Sequence, residues 1–312
     1  MTPGKAPQIG GKAVQAVLAC LILCTSAGAI AQPLESATLR KIRDTGVIAV
    51  GHRVASAPFS FLDARRRPVG YTIDICEHIV KAISTSLGLS DLEVKRVAVS
   101  SATRLPMLAN GTIDLECGIT TNTAERARSV SFSVTTFVAA SRLLARKEGE
   151  VQTLDDLRGR VVASTLSTTS IQHINAVNQS RQLNLKVIAG IDDQQSFQLV
   201  RAGQAAAFAM DDVMLRSLLA SAPDAADYSV SSQPLTIEPY AIGLPHGDPV
   251  FKQLVDKVIT ELYRSDEIAH IYRQWFESPI PPKGVNLKWP MSEALRRVIR
   301  QPTDASDPMV YR

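Results

Sequence analysis

The sequence predicts an α/β protein of two domains, and three observations carry that expectation. Apolar strands alternate with amphipathic helices along the chain, the pattern of parallel sheets covered by helices. Several strands end directly on arginines, hydroxyls or acids, where open α/β sheets bind ligands. The pattern restarts after Leu144, and 312 residues suit two domains of ~100–200 residues each.

The first element is a targeting segment. Lys5 and Lys12 form a basic start, Val14 to Leu23 a mostly apolar core, and Ala29-Ile30-Ala31 a small-residue cleavage site. Residues 1–31 therefore read as a signal peptide, which makes the mature protein periplasmic. The apolar run is shorter than the ~20 residues of a membrane span. Val17-Leu18-Ala19-Cys20 has the form of a lipoprotein box, but much of the apolar core follows it, so ordinary export is the reading.

The formal charge of +4 falls to +2 without Lys5 and Lys12, leaving 32 basic and 30 acidic residues. With no basic block beyond Arg65-Arg66-Arg67, that balance argues against a nucleic-acid partner. Cys20 and Cys24 leave with the leader. Cys76 and Cys117 remain, either as a disulfide in an oxidising compartment or as two buried thiols. His52, His78, His173, His246 and His270 are scattered, and there is no CxxC or HExxH, so neither metal nor cofactor is expected.

In the mature chain a short helix from Ser36 to Arg43 stops at Gly46, and Val47 to Gly51 is a buried strand ending on His52-Arg53. A helix opened by Asp74 carries Ile75, Ile79, Ile83 and Leu87 on one face, and Leu92 to Val99 is the next strand. After it, Ser101 is placed to cap a helix with Arg104 one turn in. Ile113, Leu115 and Cys117 then alternate as a strand, followed by Thr120-Thr121-Asn122. There Asn122 and Glu125 have the spacing of a capping box, with Arg126 in the first helical turn. Three strand ends thus carry an arginine, and strand ends of one parallel sheet converge on one rim.

Beyond Leu144, the strand Val161 to Ala163 leads through a hydroxyl-rich turn, Ser164 to Ser170, into a helix from Ile171 to Val177. Leu185 to Ile188 is a strand and Ser196 to Arg201 a helix. Ala205 to Met210 is a buried strand ending on Asp211-Asp212, where Asp212 suits the helix cap and leaves Asp211 free for a ligand. Tyr240 to Leu244 returns to the first domain, Pro249 to Phe276 holds two amphipathic helices, and Pro279-Ile280-Pro281-Pro282 begins an extended tail.

These residues meet a known pattern. Leu39-Arg40-Lys41-Ile42 with Gly46 to Arg53, Pro58-Phe59-Ser60-Phe61, Gly111 to Gly118, Thr120-Thr121-Asn122 with Glu125-Arg126, Leu157-Arg158-Gly159, Thr168-Thr169-Ser170, Met210-Asp211-Asp212, Gly247-Asp248-Pro249 and Trp275-Phe276 stand in family order. On them the chain resembles the solute-binding proteins of polar amino-acid ABC importers, on the glutamate/aspartate-binding side of that family. The resemblance implies a two-lobed, type II periplasmic binding protein-like fold. Each lobe would be a mostly parallel sheet flanked by helices, joined by two linking strands and closing by a hinge. Lobe I would span 32–143 and 240–312, and lobe II 144–239.

Carried over residue by residue, the resemblance gives Arg126 the ligand's α-carboxylate, with Thr121, Thr168 and Thr169 assisting. Asp211 would receive the α-ammonium, and Arg53, Ser101 and Arg104 a side-chain carboxylate. Two arginines on one site form a positive excess that an anionic ligand would neutralise, so glutamate or aspartate is the expected ligand. The partners implied are a membrane permease and its ATPase, and the chain would be a monomer. Two positions depart from the pattern: Ile119 replaces a serine, and Asp193 falls where the family has a histidine, which keeps glutamine or another polar amino acid open. The same fold also hosts dehydratases of prephenate-like acids, for which His52 and Glu116 would be the only acid–base candidates. A sensor role with a separate receptor is the third reading.

Overall fold

The computed structural model describes residues 1–6 and 35–312. The chain divides into Met1–Leu34 and Glu35–Arg312. Residues 1–6 carry no regular secondary structure, and most of the expected leader, 1–31, lies outside the described residues. Among the described residues no helix is long and apolar enough to cross a membrane.

The second unit begins with α1 (Ala37–Thr45), capped by the Ser36 hydroxyl and ended by Gly46 at φ 67°. Strand β1 (Val47–His52) follows, then a small antiparallel sheet of β2 (Ala55–Ser56), β3 (Ser60–Leu62) and β4 (Pro68–Val69). Next come α2 (Tyr71–Leu87), β5 (Glu93–Ala98), α3 (Arg104–Ala109), β6 (Leu115–Cys117) and the long strand β7 (Ser131–Arg146). The middle of the chain supplies β8 (Val161–Thr165), α4 (Thr169–Arg181), β9 (Lys186–Gly190), α5 (Asp193–Arg201), β10 (Ala207–Asp211), α6 (Asp212–Ala220) and β11 (Tyr228–Val230). Strand β12 (Thr236–Leu244) leads back to α7 (Pro249–Arg264), α8 (Glu267–Phe276) and α9 (Glu293–Arg300).

The main sheet runs β5-β1-β6-β12-β7-β10-β8-β9, with β11 also on β7. β1 pairs parallel with β5 and β6, and β8 pairs parallel with β9 and β10. Between these two parallel sets stand β7 and β12, antiparallel to each other over most of their length. They are the two linking strands, and the architecture is the expected two-lobed one. Phe137 of β7 and Tyr240 of β12 sit in one aromatic cluster with Phe59, Tyr71, Tyr272 and Phe276. That packing roots both linking strands in the first lobe's core.

Cys76 of α2 and Cys117 of β6 form a disulfide, Cα atoms 6.3 Å apart, which resolves the alternative the sequence left open. Several local expectations are corrected. The segment after Thr121 is not an α-helix. It makes a single 3₁₀ turn at Arg126–Arg128, and Asn122 donates its amide to Asp304 O (2.8 Å) instead of capping. Ser101 caps nothing, because the turn before α3 is closed by Ser100 and Thr103. Asp74 does not open α2, which begins at Tyr71; its carboxylate accepts from Trp275 Nε1 at 2.6 Å.

The tail is not merely extended either. It contains α9, and the residues after it lie on the linking strands, with Thr135 N–H donating to Thr303 O (2.8 Å) and the Tyr311 hydroxyl 2.7 Å from Thr135 Oγ1. Only Leu295 and Val298 of α9 are buried, too few to give a readable helical stripe.

Candidate functional site

Each lobe delivers its chemistry from strand ends. Arg53 follows β1, where its own N–H is held by Ser60 Oγ (2.9 Å) and its Nη1 donates to Ser101 Oγ (3.0 Å) in the loop after β5. Arg104 opens α3, and Arg126 follows β6 with Nη1 donating to Thr121 O at 3.0 Å. All three guanidinium residues are buried. Arg104 is the most exposed to electrostatic stress: its Nε and Nη1 are buried without a hydrogen-bond partner. Desolvation and then the positive charge of Arg126, with a lesser push from Arg53, outweigh the opposing charge of Glu116 and pull its pKa down to about 9. Burial likewise lowers Arg126, opposed by Glu238, Glu116 and Asp211.

The other lobe brings acids and hydroxyls. Asp211 ends β10; its Oδ2 accepts the Tyr240 hydroxyl, while its Oδ1 is buried with no partner. Burial and the nearby Glu238 raise its pKa well above the usual carboxylate range. The cap position of α6 is Asp211 rather than the expected Asp212, although its side chain caps nothing; Asp212, in the first turn, accepts from Val213 N–H (2.8 Å) and Ala140 N–H (3.2 Å). Asp193 lies in the first turn of α5, buried, with Oδ1 accepting from Thr165 Oγ1 at 2.6 Å. Its carboxyl is raised by burial and pulled back by that hydrogen bond and by the charges of Arg53 and Arg104.

The threonines are used differently from the sequence expectation. Thr121 Oγ1 and Thr169 Oγ1 donate to Glu238 Oε2 at 2.8 and 2.7 Å, and Thr236 Oγ1 donates to Oε1. Thr168 caps α4: its Oγ1 accepts from Ile171 N–H (3.3 Å) and donates to Thr165 O (2.6 Å). Their hydroxyl protons are therefore engaged, and what α4 offers an anion is the free N–H groups of its first turn. Thr120 Oγ1, by contrast, is buried without a partner. Ile119 is buried in the apolar core cluster.

Three residues of this site were not singled out from the sequence as binding groups. Glu238, on linking strand β12, gathers hydroxyls from both lobes, and Tyr240 holds Asp211. Glu116 is fully buried with neither carboxylate oxygen hydrogen-bonded, yet its charge acts on both Arg104 and Arg126. It stands where Gly118 lacks a side chain: a Cβ there would lie 2.3 Å from Glu116 Oε1 and 3.1 Å from Arg53 Cγ. An acid inside an otherwise apolar strand, as at Glu238, was the available signal. Of the acid–base candidates, His52 turns its Nδ1 to Arg53 O (3.0 Å).

Comparison with known proteins identifies the family. The family model for bacterial extracellular solute-binding proteins, family 3, matches residues 48–278. An L-glutamate/L-aspartate-binding protein of Pseudomonas aeruginosa is 42% identical over 290 residues, covering 93% of this chain and 95% of that protein. A glutamate/aspartate import solute-binding protein of Escherichia coli is 38% identical over 290 residues, covering 92% and 96%. Among solved structures, a mutant of the arginine-binding protein ArgBP from T. maritima superposes with a TM-score of 0.68 at 26% identity, covering 77% of this chain and 99% of that one. With the two lobes, the linking strands and a family match across most of the chain, the protein belongs to family 3 of the bacterial extracellular solute-binding proteins.

Proposed function

We propose that this chain captures an acidic amino acid, glutamate or aspartate, between its lobes and delivers it to a membrane permease driven by an ATPase. The observation that carries the reading is the buried Arg104 with two guanidinium nitrogens unpaired, beside Arg53 and Arg126. Unsatisfied buried donors of this kind call for an anionic acceptor. The names of the two relatives point to the same ligand class.

In this reading Arg126 and the first turn of α4, at Thr168-Thr169, grip the α-carboxylate. Asp211, held by Tyr240, takes the α-ammonium, and Arg53, Ser101 and Arg104 take the side-chain carboxylate. Thr121 acts through Glu238 rather than by touching the ligand. Residues 32–143 and 240–312 form one lobe and 144–239 the other, closure being favoured only by a ligand that touches both. The mature protein works as a periplasmic monomer after loss of residues 1–31, and it binds without chemistry. His52 faces a backbone carbonyl and Glu116 serves as a counter-charge to the arginines, so neither is posed as an acid–base catalyst.

The test is a thermal-shift screen of the common amino acids on mature protein stripped of carried-over ligand. Glutamate or aspartate should give the largest stabilisation, by ligand linkage. A shift with arginine or an apolar amino acid and none with glutamate, aspartate or their amides would overturn the reading.

A further inference from the structure

Two neighbouring residues of the second linking strand hold the groups assigned to the ligand's main chain. Glu238 and Tyr240 stand two apart on β12, ahead of the register shift that follows Tyr240, so their side chains leave the same face of the strand. Tyr240 donates its hydroxyl to Asp211, the acid assigned to the α-ammonium. Glu238 is buried and accepts three hydroxyl protons. Thr121 Oγ1 (2.8 Å) and Thr169 Oγ1 (2.7 Å) both donate to its Oε2, and Thr236 Oγ1 donates to Oε1.

Two of those hydroxyls belong to the segments assigned to the α-carboxylate. Thr121 is the residue whose carbonyl oxygen accepts from Arg126 Nη1 at 3.0 Å. Its stretch is also laced to β12, by a bridge between Thr121 and Tyr240 and by Asn122 N–H donating to Pro239 O at 2.8 Å. Thr169 is the first residue of α4, whose leading N–H groups have no partner within the helix. A single carboxylate oxygen is therefore hydrogen-bonded to the start of α4 and, through Thr121, connected to Arg126. Burying a carboxylate is costly unless it is hydrogen-bonded, and an apolar side chain of similar size fills space at lower cost. What the acid adds is a fixed placement of two segments that come from the two parallel sets of the sheet.

We infer that Glu238 is the positioning residue of the main-chain half of the cleft: through Thr121 and Thr169 it sets Arg126 and the first turn of α4 at the spacing that one α-carboxylate bridges. The inference rests on the amino-acid reading above. Glu238 acts through these hydroxyls and not by contact with the ligand. Without it the two threonine hydroxyls lose their shared acceptor, and Arg126 and α4 must each be ordered by the ligand itself, at a cost in affinity. The charge of Glu238 suits the same arrangement: burial lowers the pKa of Arg126, and Glu238 opposes that more than any other acid.

A residue that only supports the fold or lobe closure weakens every ligand by the same factor. One that positions the α-carboxylate clamp matters most to ligands carrying that group. The experiment is titration calorimetry of the mature protein, Glu238→Leu and Glu238→Gln with L-glutamate and with L-isoglutamine, in which an amide replaces the α-carboxylate alone. It is run at about pH 6, where both α-amino groups are charged. The wild type should prefer glutamate by at least about a hundredfold, the value of a strong charge-assisted contact. Glu238→Leu should cut that preference at least about tenfold. Glutamine keeps a carbonyl for Thr121 and Thr169 and offers an amide N–H to Thr236 Oγ1, so Glu238→Gln should retain at least about a third of the preference. Both variants remove the charge, so the difference between them reads the hydrogen bonds.

A preference that Glu238→Leu leaves within about threefold of wild type, or that Glu238→Gln loses as fully as Glu238→Leu, overturns the inference while the amino-acid reading stands. A wild type that binds neither ligand, or binds isoglutamine as well as glutamate, overturns the amino-acid reading and the inference with it. Should Glu238→Leu fold poorly, Thr169→Val exchanges one donor hydroxyl for a methyl group and should lower the preference at least about threefold. An unchanged preference in that variant overturns the inference as well.

Discussion

The hydrogen bond from Thr121 to Glu238 joins the two lobes, and its removal should open the closed state. Thr121 stands beyond β6, while Glu238 sits on linking strand β12 and also holds Thr169 at the start of α4. Thr121→Ala removes one donor, 2.8 Å from Oε2, and leaves Glu238 with Thr169 and Thr236. A hydrogen bond to a charged group contributes about 1.5–3 kcal/mol net. In the open state water satisfies both partners, so that difference belongs to closure. Ligand affinity should fall by roughly 10–150-fold, at about 1.4 kcal/mol per factor of ten.

The assay is a double-mutant cycle on ligand affinity with Thr121→Ala, Glu238→Ala and both, and Thr121→Ser as the hydroxyl-retaining control. The cycle should return a coupling of about 1.5–3 kcal/mol, and serine should recover most of the loss. A coupling below about 0.5 kcal/mol, within the additivity expected of independent sites, would refute the reasoning. Thr121 would then contribute nothing to closure through Glu238.

Other consequences are simpler. Arg104→Ala should reduce glutamate affinity by roughly 10–150-fold, the value of a charge-assisted hydrogen bond, and change which amino acids bind; an unaltered selectivity profile would remove Arg104 from the side-chain site. Replacing Cys76 and Cys117 by serine opens a loop of sequence separation 41, which should lower unfolding free energy by about 4 kcal/mol in the chain-entropy account, measured by urea denaturation against the oxidised wild type. Asp211→Asn should separate stability from function. Its folded pKa lies above its unfolded one, so the stability present with the acid protonated is lost as pH rises through the folded pKa. The ligand-free variant should therefore melt above wild type at neutral to alkaline pH, match it in acid, and bind every amino acid more weakly; a lower melting temperature at alkaline pH would contradict this.

Sequence by itself determined the lobes and the rim of the cleft. Fully apolar strands such as Val47 to Val50 and Ala207 to Met210 must be covered on both faces, which forces helices onto both sides. Arg53 follows such a strand directly and Asp211 ends one, so their position at strand ends was legible. Short-range signals were less reliable. The capping-box spacing at Asn122 lost to tertiary contacts, because the Asn122 amide and N–H found better-placed carbonyls at Asp304 and Pro239. What only the tertiary structure decided is the electrostatic balance. Glu116, Asp193 and Glu238 come from three different segments, and no spacing rule ties an acid on the second linking strand to hydroxyls 117 and 69 residues away. Charge in a buried cleft depends on which groups share it and how much water they have lost, and both are properties of the packed molecule.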